Sequence, residues 1–348
     1  VSGPARLLRA GVYAAAALIS LPAALAPAAT VTIVNADSAG VGFNDPTPAA
    51  PVGGNTGTTL GQQRLIAFQH AADLWGSRLT SAVPIVVRAN FGPLTPCTPT
   101  SGVIGSAGPA NAWTLGGSFP NVPAGTIVTS ALASKLIGSD IEDGVEDIDA
   151  SFNSNIGTAG CLTTESWYLG LDGNPGANQI DFVTVLLHEL AHGLGFLTFV
   201  NLSTGALGAG LHDVYELNLR DNTANLAWSA MTNAQRQASA INTNGLVWSG
   251  AQTVATATTA VSTGKDASNR PMMYAPSPVQ QGSSVSHWSQ STAGGADCLT
   301  CTNLTPNDLM KPYLTGPLHA TLITHKALED MGWGVVTTPV EVESFTIE

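Results

Sequence analysis

The segment HELAHGLGF, residues 188 to 196, limits what this chain can fold into more than any other stretch. The run before it is apolar (Phe182, Val183, Val185, Leu186, Leu187), and the pattern continues through Leu190, Ala191 and Leu194. Such a pattern predicts a buried helix starting near 179–181 and ending at about Gly193, with Asp181 as its N-cap. Two imidazoles and a carboxylate inside that helix carry a desolvation cost unless something compensates them. His188 and His192 are four apart, so they share one helix face and can meet one ion through ring nitrogens. Glu189 is rotated off that face, which puts it beside the ion rather than on it. This is the H-E-x-x-H arrangement of a zinc site with an adjacent general base. The plain alternative is a pair of core histidines in an apolar helix. Burial of the surrounding run, the glycines at 193 and 195 and an export-like N-terminus weigh against it.

Two ligands do not complete a catalytic zinc site, which usually has three from the protein and one open position. The other histidines are His70, His212, His287, His319 and His325. His70 falls in a helix expected over about 60–79. His319 and His325 fall in a last helix expected over 318–333, where they read as surface or packing residues. His212, in HDVY, and His287, in SSVSHWS, remain as third-ligand candidates.

HELAHGLGF resembles the active-site helix of the metzincin metallopeptidases, and specifically their leishmanolysin-like branch. In most metzincins the motif runs on after the glycine to a third histidine, and the corresponding position here is Thr198. The leishmanolysin-like branch has a long insertion after the glycine and brings its third histidine from far downstream. His287, followed by Trp288, resembles that late ligand. NDLMKP (307–312) resembles the Met-turn, with Met310 as the methionine beneath the metal. PMMYAP (271–276) is a rival, but it precedes His287, so Met273 reads as core. Gly195 matches the family's turn off the helix, where a glycine's free backbone is useful. The resemblance is close over 179–197, reasonable over 283–313 and only architectural elsewhere.

The resemblance implies an α+β fold of two lobes around a zinc cleft. The N-terminal lobe, 29–196, would hold a twisted mixed sheet and the active-site helix. An insertion would span 197–286. A largely irregular C-terminal lobe, 287–348, would carry the third ligand, the Met-turn and a terminal helix. It implies a secreted zinc endopeptidase with His188, His192 and His287 as ligands and Glu189 as general base. Tyr313 is a candidate oxyanion donor, since some metzincins use a tyrosine just past the Met-turn, although the offset differs here.

The rest of the sequence sets the context. Arg6 and Arg9 precede the apolar AGVYAAAALISLPAALAPAA, which reads as a signal peptide over 1–28 with small residues suited to cleavage. No later stretch reaches about 18 unbroken apolar residues, so no stable membrane insertion is expected. Only 12 Lys plus Arg and a formal charge of -12 leave little from which to build a nucleic-acid surface. Protein or peptide substrates are the expected partners. Four cysteines in an exported chain imply disulfides, with three pairings open. A local Cys298–Cys301 loop would leave Cys97 with Cys161. DIEDGVEDIDASFNS (140–154) is dense in carboxylates, which makes Ca2+ a candidate beside Zn2+, although the spacing is not that of an EF-hand.

Strands are expected over 30–37 and 83–91, and a sheet-edge strand over 147–154. A small helix is expected over 232–242 and strand with turn over 245–260. The stretch around Cys97 up to Trp113 reads as loop, as does 271–316, and 124–138 is ambiguous between strand-turn and short helix. No G-x-S-x-G elbow supports a serine mechanism. The competing functions are a non-catalytic, zinc-stabilised surface or adhesion protein and a zinc amidase acting on small or cell-wall peptides.

Overall fold

The computed structural model describes residues 27–290 and 304–335. Residues 1–26 of the signal peptide expected over 1–28, and the pair Cys298 and Cys301, lie outside the described residues. The fold mixes helices with open sheets, and no described helix is long and apolar enough to cross a membrane.

The main sheet has four strands, β1 (Val31–Asn35), β2 (Ile85–Gly92), β3 (Gly105–Pro109) and β4 (Ile148–Asn153), in the order β1-β2-β4-β3. The first two pairings are parallel and the last is antiparallel, so the sheet is mixed. Two expectations change here. The 147–154 strand is internal rather than an edge, because GSAGP, which reads as loop, pairs outside it. Gly, Ser and Pro carry no strand propensity, and the register with β4 supplies what propensity does not. Pro109 is tolerated because an edge strand has one side free of ladder bonds.

Helix α1 (Leu60–Gly76) connects β1 to β2; Thr59 caps it by accepting from the Gln62 amide. Helix α2 (Ser130–Ile137) follows a short strand, Ile127–Thr129, which resolves the ambiguous 124–138 into strand followed by helix. Helix α3 (Phe182–Gly193) is the histidine helix, and the Asp181 carboxylate caps it by accepting from the Thr184 amide at 2.8 Å. Helices α1 and α3 pack on each other and on the sheet, and the Trp75 indole donates to the Leu187 carbonyl at 3.0 Å. Phe182 sits among Phe91, Phe152 and Trp167 with edge-on ring contacts, and this aromatic core anchors the start of α3.

Helix α4 (Asn233–Ser239) is the expected small helix, closed by a Thr232–Gln235 capping box. The stretch 245–260, expected as strand and turn, does begin with a strand, Leu246–Trp248, but continues as helix α5 (Ala251–Ala260). Its Val and Thr residues favour strands, but a distant residue decides otherwise. The Asp330 carboxylate accepts from the Gln252 and Thr253 amides, the Thr253 hydroxyl and the Trp248 indole. That carboxylate caps α5 at the end where backbone amides lack partners. Asp330 itself ends helix α6 (Thr324–Asp330), which is shorter than the expected 318–333. Asp330→Ala strands several buried donors at once. It should lower stability by about 3 kcal/mol, read as a shifted urea midpoint at unchanged slope.

A second aromatic cluster of Phe196, Tyr215, Trp248 and Trp288 ties the segment after α3 to the segment carrying His287. The Tyr215 hydroxyl donates to the Val285 carbonyl at 2.8 Å. Met273 is fully buried and bridges to Trp288, so it is a core residue as expected.

Candidate metal centre

Helix α3 delivers His188 and His192 to one face, and the chain returns His287 to the same point from almost a hundred residues later. The His287 Nε2 lies 3.1 Å from His188 Nε2 and 3.3 Å from His192 Nε2. Among the described residues, these three form the one group of His, Cys, Asp or Glu side chains close enough together to share an ion.

The outer ring nitrogens define the protonation of the site. His188 Nδ1 is 3.1 Å from the Leu309 carbonyl, His192 Nδ1 is 2.8 Å from the Phe196 carbonyl and His287 Nδ1 is 2.8 Å from the Ser283 carbonyl. A carbonyl can only accept, so each Nδ1 carries the proton and donates. In the neutral tautomer each Nε2 is then a bare lone pair. Burial holds all three rings in that neutral form. It pulls His188 down to about 3 and His192 down to about 4, and it puts His287 well below the ordinary histidine range. Three acceptors, His287 buried and His188 and His192 half-buried, therefore face one another with no donor between them. A cation removes that conflict. The fit is metric as well, because a tetrahedral ion with metal–nitrogen bonds of about 2.0–2.1 Å separates its ligands by roughly 3.3 Å.

Each outer carbonyl has an identifiable origin. Phe196 follows the turn at Gly195, where φ is +117°, a backbone region that a side chain makes costly. Leu309 directly precedes Met310, so the NDLMKP turn holds His188 through its backbone. Met310 is fully buried, and its carbonyl accepts from the Trp288 amide at 2.6 Å. Asp308 fixes the turn by accepting from the Leu309 and Ile323 amides and the Thr324 hydroxyl. Thr324 also accepts from the Trp288 indole at 3.0 Å. The first turn of α6 thus grips both the His287 segment and the Met310 turn.

Glu189 is buried beside the trio and outside it. Its Oε2 accepts from the Ala107 amide of β3 at 2.9 Å. Burial pushes its carboxyl up to about 8, opposed by that amide. A side chain at Gly105 would meet the Glu189 side chain at 3.0 Å, so the glycine lets the edge strand approach. A cleft of about 1000 Å³ runs past these groups, lined by β3 and by residues from 197–203, 281–287 and 307–318.

The remaining histidines are elsewhere. His212 pairs through Nδ1 with Glu216 at 2.8 Å and is not part of the trio. His319 lies before α6 rather than in it and contacts Asp181 at 2.8 Å. His70 is in α1 with its ring 6.4 Å from that of His319. Thr198 binds no metal group. Its hydroxyl donates to Asp213, which also accepts from the Phe199 amide, and so it shapes the loop leaving α3. Tyr313 lines the cleft with its hydroxyl donating to Gln280 Oε1 at 2.9 Å. The sequence reading misses β3, the three carbonyls and Asp308.

Cys97 and Cys161 are joined in a disulfide, which pins the loop entering β3. In the acidic stretch the carboxylates are spread over local partners. Asp140 accepts from the Glu142 and Gly144 amides, Glu142 from Asn111 and Trp113, and Asp149 from Arg88. Asp147 accepts from the Val86 amide, and burial pushes its carboxyl up to about 6. A folded-state value above the unfolded one means the stabilising proton is lost as pH rises through about 6. Asp147→Asn should therefore gain on the wild type by about 1–3 kcal/mol between pH 4 and pH 7, measured as urea midpoints at both.

Compared with models of known protein families, with curated proteins and with solved structures, the chain matches none of them.

Proposed function

We propose that the protein is a secreted zinc peptidase of the metzincin type, built as two lobes around the cleft. The observation that carries this reading is the convergence of three proton-free Nε2 atoms beside a buried glutamate that is not one of them. A purely structural zinc site is normally closed by four ligands and has no use for a base. His188, His192 and His287 would hold the zinc, which when bound supplies Lewis acidity to a water and to a carbonyl oxygen.

The chain's own groups do the rest. Each Nδ1–H bond to a carbonyl fixes the orientation of one imidazole and raises its basicity. The Ala107 amide holds one oxygen of Glu189, leaving Oε1 to take a proton from water and return it to the departing amine. Because β3 is an edge strand, its unpaired backbone groups can bind an extended peptide along the cleft by strand addition. Tyr313 also lines the cleft, and its hydroxyl, turned from Gln280, is a donor candidate for the developing oxyanion.

The test is clearing of casein or gelatin by the purified protein. Clearing that stops with a chelator and returns with zinc is the expected result. A protein that holds zinc yet cuts no protein substrate would instead be the zinc-stabilised binding protein or the small-peptide amidase.

A further inference from the structure

Lys and Arg are scarce in this chain, at 12 of 348 residues. Yet one of them, Lys311, is the sole Lys or Arg among the residues lining the cleft. It directly follows Met310, and it is 5% exposed. A buried ammonium needs a partner, since losing water is expensive for a charge. Among the described residues, the one hydrogen bond it makes is to the Thr315 hydroxyl at 3.3 Å, a long contact to a neutral acceptor. No carboxylate among the described residues is within ion-pair distance of it. Asp308 is the acid whose field it feels, but that carboxylate is fully buried and occupied by the Leu309 and Ile323 amides and the Thr324 hydroxyl. The other charged side chain lining the cleft is Glu189, held by Ala107. Lys311 thus lines a peptide-sized cleft with most of its ammonium's donor capacity unspent among the described residues. Its stem is fixed by the turn that also orients His188.

We propose that Lys311 binds a carboxylate of the substrate, either an acidic side chain near the scissile bond or the free C-terminus. This deepens the peptidase reading and rests on it. A charge-assisted hydrogen bond in a desolvated site is stronger than a neutral one, so the preference should be at least about tenfold. The distant net charge of -12 is screened by salt over about 8–10 Å and does not cancel a contact pair.

The experiment uses the full zinc-loaded chain and matched peptides carrying Glu or Gln at each position around the cut. A second set carries a free or an amidated C-terminus. Turnover is read as KM and kcat separately. Binding is read by fluorescence anisotropy on Glu189→Gln, so that affinity is seen without cleavage. The wild type should favour the Glu peptide at one position, or the free terminus, by about tenfold, mainly in KM. The position of the effect identifies the source of the carboxylate. Lys311→Gln should erase the preference, Lys311→Arg should keep it and Lys311→Glu should turn it toward lysine peptides. Lys311→Arg also controls for folding. Equal handling of all pairs by the wild type overturns the proposal, and so does a preference that survives in Lys311→Gln. If the zinc-loaded wild type cuts no peptide, the peptidase reading fails. The anisotropy pairs then decide Lys311 alone, and binding that ignores the carboxylate overturns it.

Discussion

Glu189→Gln should keep its zinc and its fold and lose at least about 10²- to 10⁴-fold in turnover, the usual contribution of a general base. The substitution preserves shape and volume, and the amide can still accept from the Ala107 N–H through its oxygen. No metal ligand is removed, because Glu189 lies outside the histidine trio. Loss of activity with zinc retained therefore isolates proton transfer from metal binding. Zinc content and kcat are measured on the same preparation. A variant that keeps more than half its turnover on a protein substrate would remove Glu189 from the chemistry.

His287→Ala should release zinc, while His212→Ala should keep it. Both residues come from the part of the chain after α3, and both are candidates on sequence alone. The structure separates them. His287 Nε2 is 3.1 and 3.3 Å from the nitrogens of His188 and His192, whereas His212 is engaged by Glu216. Losing an outer partner of a zinc ligand costs about 10- to 100-fold in affinity, so losing the ligand itself should cost more. His212→Ala should cost stability instead, because it leaves the buried Glu216 carboxylate without its hydrogen-bond donor. Competitive titration against a zinc chelator of known affinity distinguishes the two variants. Equal affinity in His287→Ala and the wild type would end the three-histidine assignment.

What the sequence makes legible follows from how locally each feature is determined. Helix α3 can be read because its periodicity, its Asp181 cap and its closing glycines lie within about fifteen residues. The pairing of His188 with His192 follows from helix geometry alone. His287 and Met310 come from the family resemblance rather than from any local rule, and the structure brings His287 to the pair. The features that escape reading are those fixed at long range. Strand β3 has a loop-like composition and exists through its register with β4. Helix α5 has strand-like composition and exists because Asp330, nearly eighty residues later, caps it. The carbonyls of Leu309, Phe196 and Ser283 set the tautomers of the site, but backbone acceptors carry no sequence signature. The cleft-lining role of Lys311 is equally invisible, since a lone lysine in sequence reads as a solvated surface charge.

The account stands on a metal ion between three histidines, and elemental analysis tests that most directly. The protein, purified gently, supplied with zinc and freed of excess by gel filtration, should carry close to one zinc per chain, and none after replacement of His188 and His192 together. A wild-type protein that emerges with no stoichiometric transition metal would contradict the account.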